Sequence, residues 1–159
     1  MEGPRKRDRR GEQSITTDLV PGFRVENNPP KVDLVSVSDL LEVVGMRARS
    51  IEAMAQAIRA STEVLLVYND KDVLVGFGRL ISDGTYYGTL WDVAVHPNSQ
   101  RLGVGKVITA RLLAKCRSLG LSVVGLFTAS HNRQFYAKAG FAMLDDIHAM
   151  TLDLKQFEQ

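Results

Sequence analysis

Cysteine is almost missing from this chain: Cys116 is the single one among 159 residues. An intrachain disulfide framework is therefore excluded, and the fold must be held by its core. Leu112, Leu113 and Leu119 around Cys116 predict a buried thiol on a helix rather than a nucleophile. No run approaches the roughly 18 consecutive apolar residues of a membrane-spanning helix, and the first residues lack the apolar stretch of a secretory signal. A cytoplasmic location without a membrane partner is the default expectation, and a trimmed organelle-targeting segment is compatible with the same residues. Internal repeats are also missing, which excludes solenoids and propellers. What is present is ordinary for a globular protein: 45% hydrophobic and 24% charged residues, enough apolar content to rule out wholesale disorder.

Charge is scarce in net terms, +2 overall, but unevenly placed. Arg5, Lys6, Arg7, Arg9 and Arg10 oppose only Glu2 and Asp8 in the first ten residues, and the remainder is close to neutral. Residues 1–30 also carry Pro4, Pro21, Gly22, Asn27, Asn28 and the Pro29-Pro30 pair without a sustained apolar period, so they are expected to form a basic, flexible leader. Residues 31–159 are expected to be one domain.

Within that domain Val32 to Val37 reads as a first strand, and Ser36 or Ser38 as the cap of a helix carrying Leu40, Leu41, Val43 and Val44. Ser50 caps a second helix through Ala60. Thr62–Tyr68, Val73–Ile81 and Tyr86–Val95 follow as strands separated by the turn residues Asn69–Asp72 and Ser82–Thr85, which makes an antiparallel meander. Gly76 and Gly78 inside it mark a bulge, a ligand approach or close packing. Val104, Val107, Ile108, Leu112 and Leu119 recur at helical spacing up to Gly120. Ser122–Phe127 is a buried strand, Ser130 the cap of a short helix with Phe135 and Tyr136 that stops at Gly140, and Phe141–Leu144 and Ala149–Leu154 are final strands.

Between the meander and the long helix stands Gln100-Arg101-Leu102-Gly103-Val104-Gly105. A strand, a glycine-punctuated turn and a fresh helix N-terminus gather unpaired backbone N–H groups and a positive dipole end, which suits a diphosphate. A Walker loop would need a glycine where Gln100 stands and a hydroxyl residue where Val107 stands; a dinucleotide fingerprint would need a third glycine in place of Ile108. Both are excluded.

The strand Trp91-Asp92-Val93-Ala94-Val95-His96-Pro97, the loop Gln100–Gly105 and the later segment Phe135-Tyr136-Ala137-Lys138-Ala139-Gly140-Phe141 together resemble the GCN5-related N-acetyltransferases, the GNAT family, over roughly residues 31–154. The resemblance implies an α/β (α+β) fold: a mixed, mostly antiparallel central sheet flanked by helices and splayed between its fourth and fifth strands. It implies acetyl-CoA as cofactor and no metal. Backbone groups of Val93 and Val95 would hold the pantetheine arm, as an added strand would. Arg101, Leu102, Gly103, Val104, Gly105 and Lys106 would receive the pyrophosphate, the two glycines letting backbone approach closely.

Tyr136 matches the family's usual general acid for the departing thiolate. A phenol near 10 can protonate a thiol near 8.5 at a cost of about 2 kcal/mol. An alkylammonium acceptor must lose a proton at pH 7 against about 4.6 kcal/mol, so a base or water chain is also needed. Asp92 on the cofactor strand is the first candidate; simple alternation would set Trp91 and Val93 on the other face, and a bulge would change that parity. His96 and His131 are the other candidates. Many relatives carry Asn seven residues before the tyrosine, where this chain has Ala129; Asn132, one turn before Tyr136, is the replacement for holding the cofactor, with Ser130 and His131 as alternatives.

The expected reaction is acetyl transfer to a primary amine by direct attack in a ternary complex, the alternative being a non-catalytic CoA-binding or regulatory module on the same fold. The acceptor, small molecule or protein, is not legible, although Tyr86, Tyr87 and Trp91 could stack an aromatic amine. Nucleic acid is not the expected partner despite the basic leader, and a homodimer is compatible with the resemblance.

Overall fold

The computed structural model describes residues 20–146 and 148–154. They fall into two compact units, one ending at Phe127 and one starting at Thr128. In the first, a five-stranded sheet runs in the spatial order β1 (Phe23–Asn27), β2 (Glu63–Asn69), β3 (Leu74–Ser82), β4 (Tyr87–Val95) and β5 (Val123–Leu126). The first three pairings are antiparallel and β4 with β5 is parallel. Helices α1 (Leu34–Val43) and α2 (Ile51–Arg59) precede β2, and α3 (Val104–Ser118) joins β4 to β5.

The last part of the expected leader contributes to the sheet, while its basic part lies in residues 1–19, outside the described residues. Phe23–Asn27 pairs along its whole length with Leu65–Asn69, so the segment read as unstructured supplies an edge strand. The element order up to this point matches expectation only because a second correction offsets the first. Residues 32–37 are not a strand: Asp33 accepts from the N–H groups of Val35 and Ser36 and from the Ser36 hydroxyl, which starts α1 at Leu34. Asp33 is thus the cap expected at Ser36 or Ser38. Ser50 does cap α2, its hydroxyl accepting from Ala53 N–H at 3.1 Å.

The sheet is covered on both faces. Val37, Leu40 and Leu41 of α1 and Met54 of α2 form one core with Val64, Leu66, Leu74, Phe77 and Ala94. The alternate residues meet α3, whose Val104 and Ile108 pack so closely on β3 that a Cβ on Gly76 would lie 2.8 Å from Val104 Cγ1 and one on Gly78 2.7 Å from Ile108 Cγ2. The β3 glycines therefore serve helix packing. Two-sided coverage also explains why Val64-Leu65-Leu66-Val67 is continuously apolar. Cys116 is buried on α3, and burial raises its thiol above the usual range.

The second unit holds a 3-10 turn (Ser130–Asn132) and α4 (Arg133–Lys138). Ser130 lies inside the turn instead of capping a helix, because Ala129 opens it and Asn132 N–H donates to Ala129 carbonyl at 2.9 Å. Phe141–Leu144 and Ala149–Leu154, expected as final strands, form none. Apolar side chains such as Met143, Met150 and Leu152 are exposed there, so the alternating pattern has no partner to pair with among the described residues.

Candidate active site

β4 changes character halfway along. Tyr87–Leu90 pair with Val123–Leu126 on one side, and Gly88–Leu90 with β3 on the other; among the described residues Trp91–Val95 pair with β3 alone. This is the splay expected between the fourth and fifth strands. At the transition Arg79 faces Trp91 and Phe77 faces Ala94, so Asp92 and Val93 together span the single residue Gly78. That is a bulge, and Asp92 takes φ +51° to make it. Beyond it His96 N–H donates to Val75 carbonyl at 2.8 Å, and alternation along the ladder turns the backbone groups of Val93 and Val95 away from β3, toward the open edge. The carbonyl of Val95 there accepts from the Gln100 side-chain amide at 3.1 Å.

A 3-10 turn (Pro97–Ser99) then leads into the loop. Arg101 at φ +63° and Gly103 at φ +91° both sit in the left-handed region, an unfavourable place for a side chain at Arg101. Gly103 is the residue before α3 and offers no side-chain cap. The first intrahelical bond runs from Val107 N–H to Gly103 carbonyl at 3.0 Å, so the N–H groups of Val104, Gly105 and Lys106 have no intrahelical acceptor and, among the described residues, no side-chain cap. A Cβ on Gly103 would also stand 3.0 Å from Val20 Cγ2, so only glycine fits without a shift. Arg101, Leu102 and Lys106 are exposed around it. Uncapped amides at a helix start, a glycine allowing close approach and two exposed cations fit the diphosphate of a CoA molecule.

The bulge delivers Asp92 to a pair of arginines. Arg79 donates from Nε and Nη2 to Asp92 Oδ2 at 2.9 and 2.7 Å, and Arg49, in the loop between α1 and α2, donates from Nη2 to Oδ1 at 3.0 Å. The Asp92 and Arg79 side chains are 7% and 9% exposed. Neither arginine stands out in the sequence by spacing; the available signal was a lone charge at position 79 inside the apolar run Val73–Ile81. Trp91, across from Arg79, shares its side of the sheet with Asp92 and not with Val93, whose side chain points toward Gly78 and α3. The Trp91 ring lies 5.4 Å from that of Phe127. Tyr86 and Tyr87 are exposed, with their rings 6.2 Å apart.

His96 Nδ1 accepts from Asn98 N–H at 3.2 Å, which assigns the neutral ring's proton to Nε2. His131 and Asn132 are exposed in the second unit's 3-10 turn.

In that unit Tyr136 is held by the end of its own helix. Gly140 N–H donates to Ala137 carbonyl at 3.0 Å and Phe141 N–H to Tyr136 carbonyl at 3.1 Å, with Gly140 at φ +97°. This closing pattern gives the spacing Phe-Tyr-x-x-x-Gly-Phe a physical reason. Phe135 and Phe141 meet the Tyr136 ring edge-on at 4.9 and 5.8 Å. Burial raises the Tyr136 phenol above its ordinary value, keeping its proton in place at neutral pH.

Residues 35–141 match the acetyltransferase (GNAT) family. An uncharacterized N-acetyltransferase ycf52 of Pyropia yezoensis is 34% identical over 113 residues, 69% of this chain and 65% of the relative. A chloroplastic serotonin N-acetyltransferase 2 of Oryza sativa subsp. japonica is 31% identical over 128 residues, 79% of this chain and 64% of the relative. The chain thus spans somewhat under two thirds of the length of these two relatives. Among solved structures, a GNAT-family acetyltransferase from Streptococcus pneumoniae superposes with a TM-score of 0.67 at 28% identity, covering 82% of this chain and 97% of its own. Matching family pattern, relatives and fold agree, and the chain belongs to the GNAT family of N-acetyltransferases.

Proposed function

We propose that the protein transfers the acetyl group of acetyl-CoA to a primary amine by direct attack in a ternary complex. The observation that carries this reading is the half-open β4 running into the uncapped start of α3, a strand edge and an anion site built in succession. Acetyl-CoA, when bound, supplies the activated acetyl thioester. The backbone of Val93 and Val95 holds its amide-bearing arm by strand-like hydrogen bonds. The N–H groups from Arg101 to Lys106 hold its diphosphate, with the Arg101 and Lys106 side chains adding charge. Asn132 takes the part that Ala129 cannot play. Tyr136, kept neutral by burial, gives its proton to the leaving sulfur.

An arylalkylamine is the first acceptor to try, since the rice relative is named for serotonin. Incubation with acetyl-CoA and a broad amine panel, following CoA release, tests the reaction. Tyr136→Phe is expected to lower kcat by about 10²–10⁴-fold while CoA affinity stays within about twofold. CoA binding without turnover on any amine would instead favour a non-catalytic module. The raised phenol makes a further expectation: in a difference titration of wild type against Tyr136→Phe, the Tyr136 phenolate appears only above pH ~10. The neutral phenol's contribution to stability is complete below that value and is lost as pH rises through the folded-state pKa.

No helix among the described residues is long and apolar enough to cross a membrane. The rice relative is described as chloroplastic, so a fluorescent fusion is the direct test of the cytoplasmic expectation.

A further inference from the structure

Asp92 has the place of a base but the contacts of a strut. Its Oδ2 accepts two bonds from Arg79, and the same guanidinium donates from Nη1 to the Ala57 carbonyl at 3.2 Å and the Ser61 hydroxyl at 2.9 Å. Ser61 Oγ in turn donates to the Ala57 carbonyl at 2.7 Å, closing a ring of bonds over the last turn of α2. The other oxygen, Oδ1, accepts from Arg49, one residue before the Ser50 cap of α2. One carboxylate therefore ties the cofactor strand, at its bulge, to both ends of α2.

We infer that Asp92 is a positioning residue, with Arg49 as its adjustable partner, and that it does not take the acceptor's proton. Both oxygens point at guanidinium donors, so a substrate ammonium would have to displace an existing ion pair before transferring a proton. The φ of +51° at Asp92 is strained for a side-chain-bearing residue and is held by the bonds its own carboxylate makes. The bulge that turns the Val93 and Val95 backbone to the open edge is thereby locked by the same charge that fixes α2. Arg49 differs from Arg79 in being 36% exposed, which makes it the member of the clasp that can be changed without leaving a buried charge alone.

The inference rests on the acetyltransferase reading, and the test separates the two. Arg49→Ala, Arg49→Lys and Asp92→Asn are compared with wild type in kinetics, CoA affinity and amide hydrogen exchange along α2. For Arg49→Ala we expect exchange at Ile51–Met54 to quicken about tenfold, KM for acetyl-CoA to rise about fivefold, kcat to stay within about twofold, and Arg49→Lys to restore most of the loss. The acid limb of the kcat/KM profile should not move. Were Asp92 the base, removing the guanidinium beside it would displace that limb, which overturns the inference. Unchanged α2 exchange in Arg49→Ala overturns it equally. Asp92→Asn, where it folds, should lose CoA affinity and keep kcat within about tenfold; a drop of about 10²–10⁴ with normal CoA affinity would make it the base. If wild type acetylates no amine, the acetyltransferase reading fails, while hydrogen exchange and CoA affinity still decide the clasp.

Discussion

The two halves of β4 share one strand and one neighbour, β3, yet differ in nearly everything else. Gly88–Leu90 is closed on both edges, with Gly88 and Leu90 buried. Among the described residues Trp91–Val95 has one edge open, a bulge, a residue at positive φ and a buried ion pair. Closure yields stability, and its interruption leaves the edge at which we propose the cofactor binds. The interruption costs backbone hydrogen bonds and local strain, and the closed half, with α1 and α3 on the two faces, supplies the rigidity that makes this tolerable.

The contrast can be broken by mutation. Leu90→Ala in the closed half should cost about 2–5 kcal/mol of stability and leave CoA affinity unchanged in the folded fraction, by chemical denaturation and calorimetry. Gly103→Ala, past the open half, should do the reverse: the free loop relaxes away from the left-handed conformation, and restoring it around CoA costs about 1–2 kcal/mol, read as an affinity lowered about tenfold with a small change in melting temperature. Gly88→Ala meets Leu121 Cδ1 at 2.8 Å and Leu80 Cδ1 at 3.0 Å, both tips of side chains that can yield, so about 1 kcal/mol of stability is expected and no affinity. Lys106→Ala is the smallest: an exposed charge by the helix start, worth about 0.3–1 kcal/mol in CoA binding and fading with added salt. A Leu90→Ala protein that binds CoA poorly when folded, or a Gly103→Ala protein that binds it normally, would erase the division.

How much of this was visible in the residues depended on the range of the interaction that fixes each element. The meander, α2 and α3 follow from local turn chemistry and periodicity, and they appear where expected. β1 was hidden because its alternation, Phe23 and Val25 against Arg24 and Glu26, lasts only five residues between Pro21-Gly22 and Pro29-Pro30. It is fastened from afar: Asn27 and Asn28 side-chain amides donate to the buried Glu63 at 2.9 and 2.8 Å, and Val64 N–H donates back to Asn28 Oδ1 at 2.7 Å. The run from Val32 misled because branched residues suggest a strand, while the Asp33 cap two positions in decides for helix. Of the proposed site, the loop and Tyr136 are contiguous segments, so their proposed roles rest on residues that stand together in the sequence. The clasp was not legible, since Asp92 lies 13 residues from Arg79 and 43 from Arg49 and the three meet only through the fold.

Cys116 has a practical consequence. Its thiol is 3% exposed, and burial disfavours the thiolate that reacts with disulfide dyes. A colorimetric reagent that titrates liberated CoA should therefore register product alone while the protein is folded. The same dye added without substrate becomes a clock for global opening, because α3 must come away from the sheet before the sulfur can be labelled.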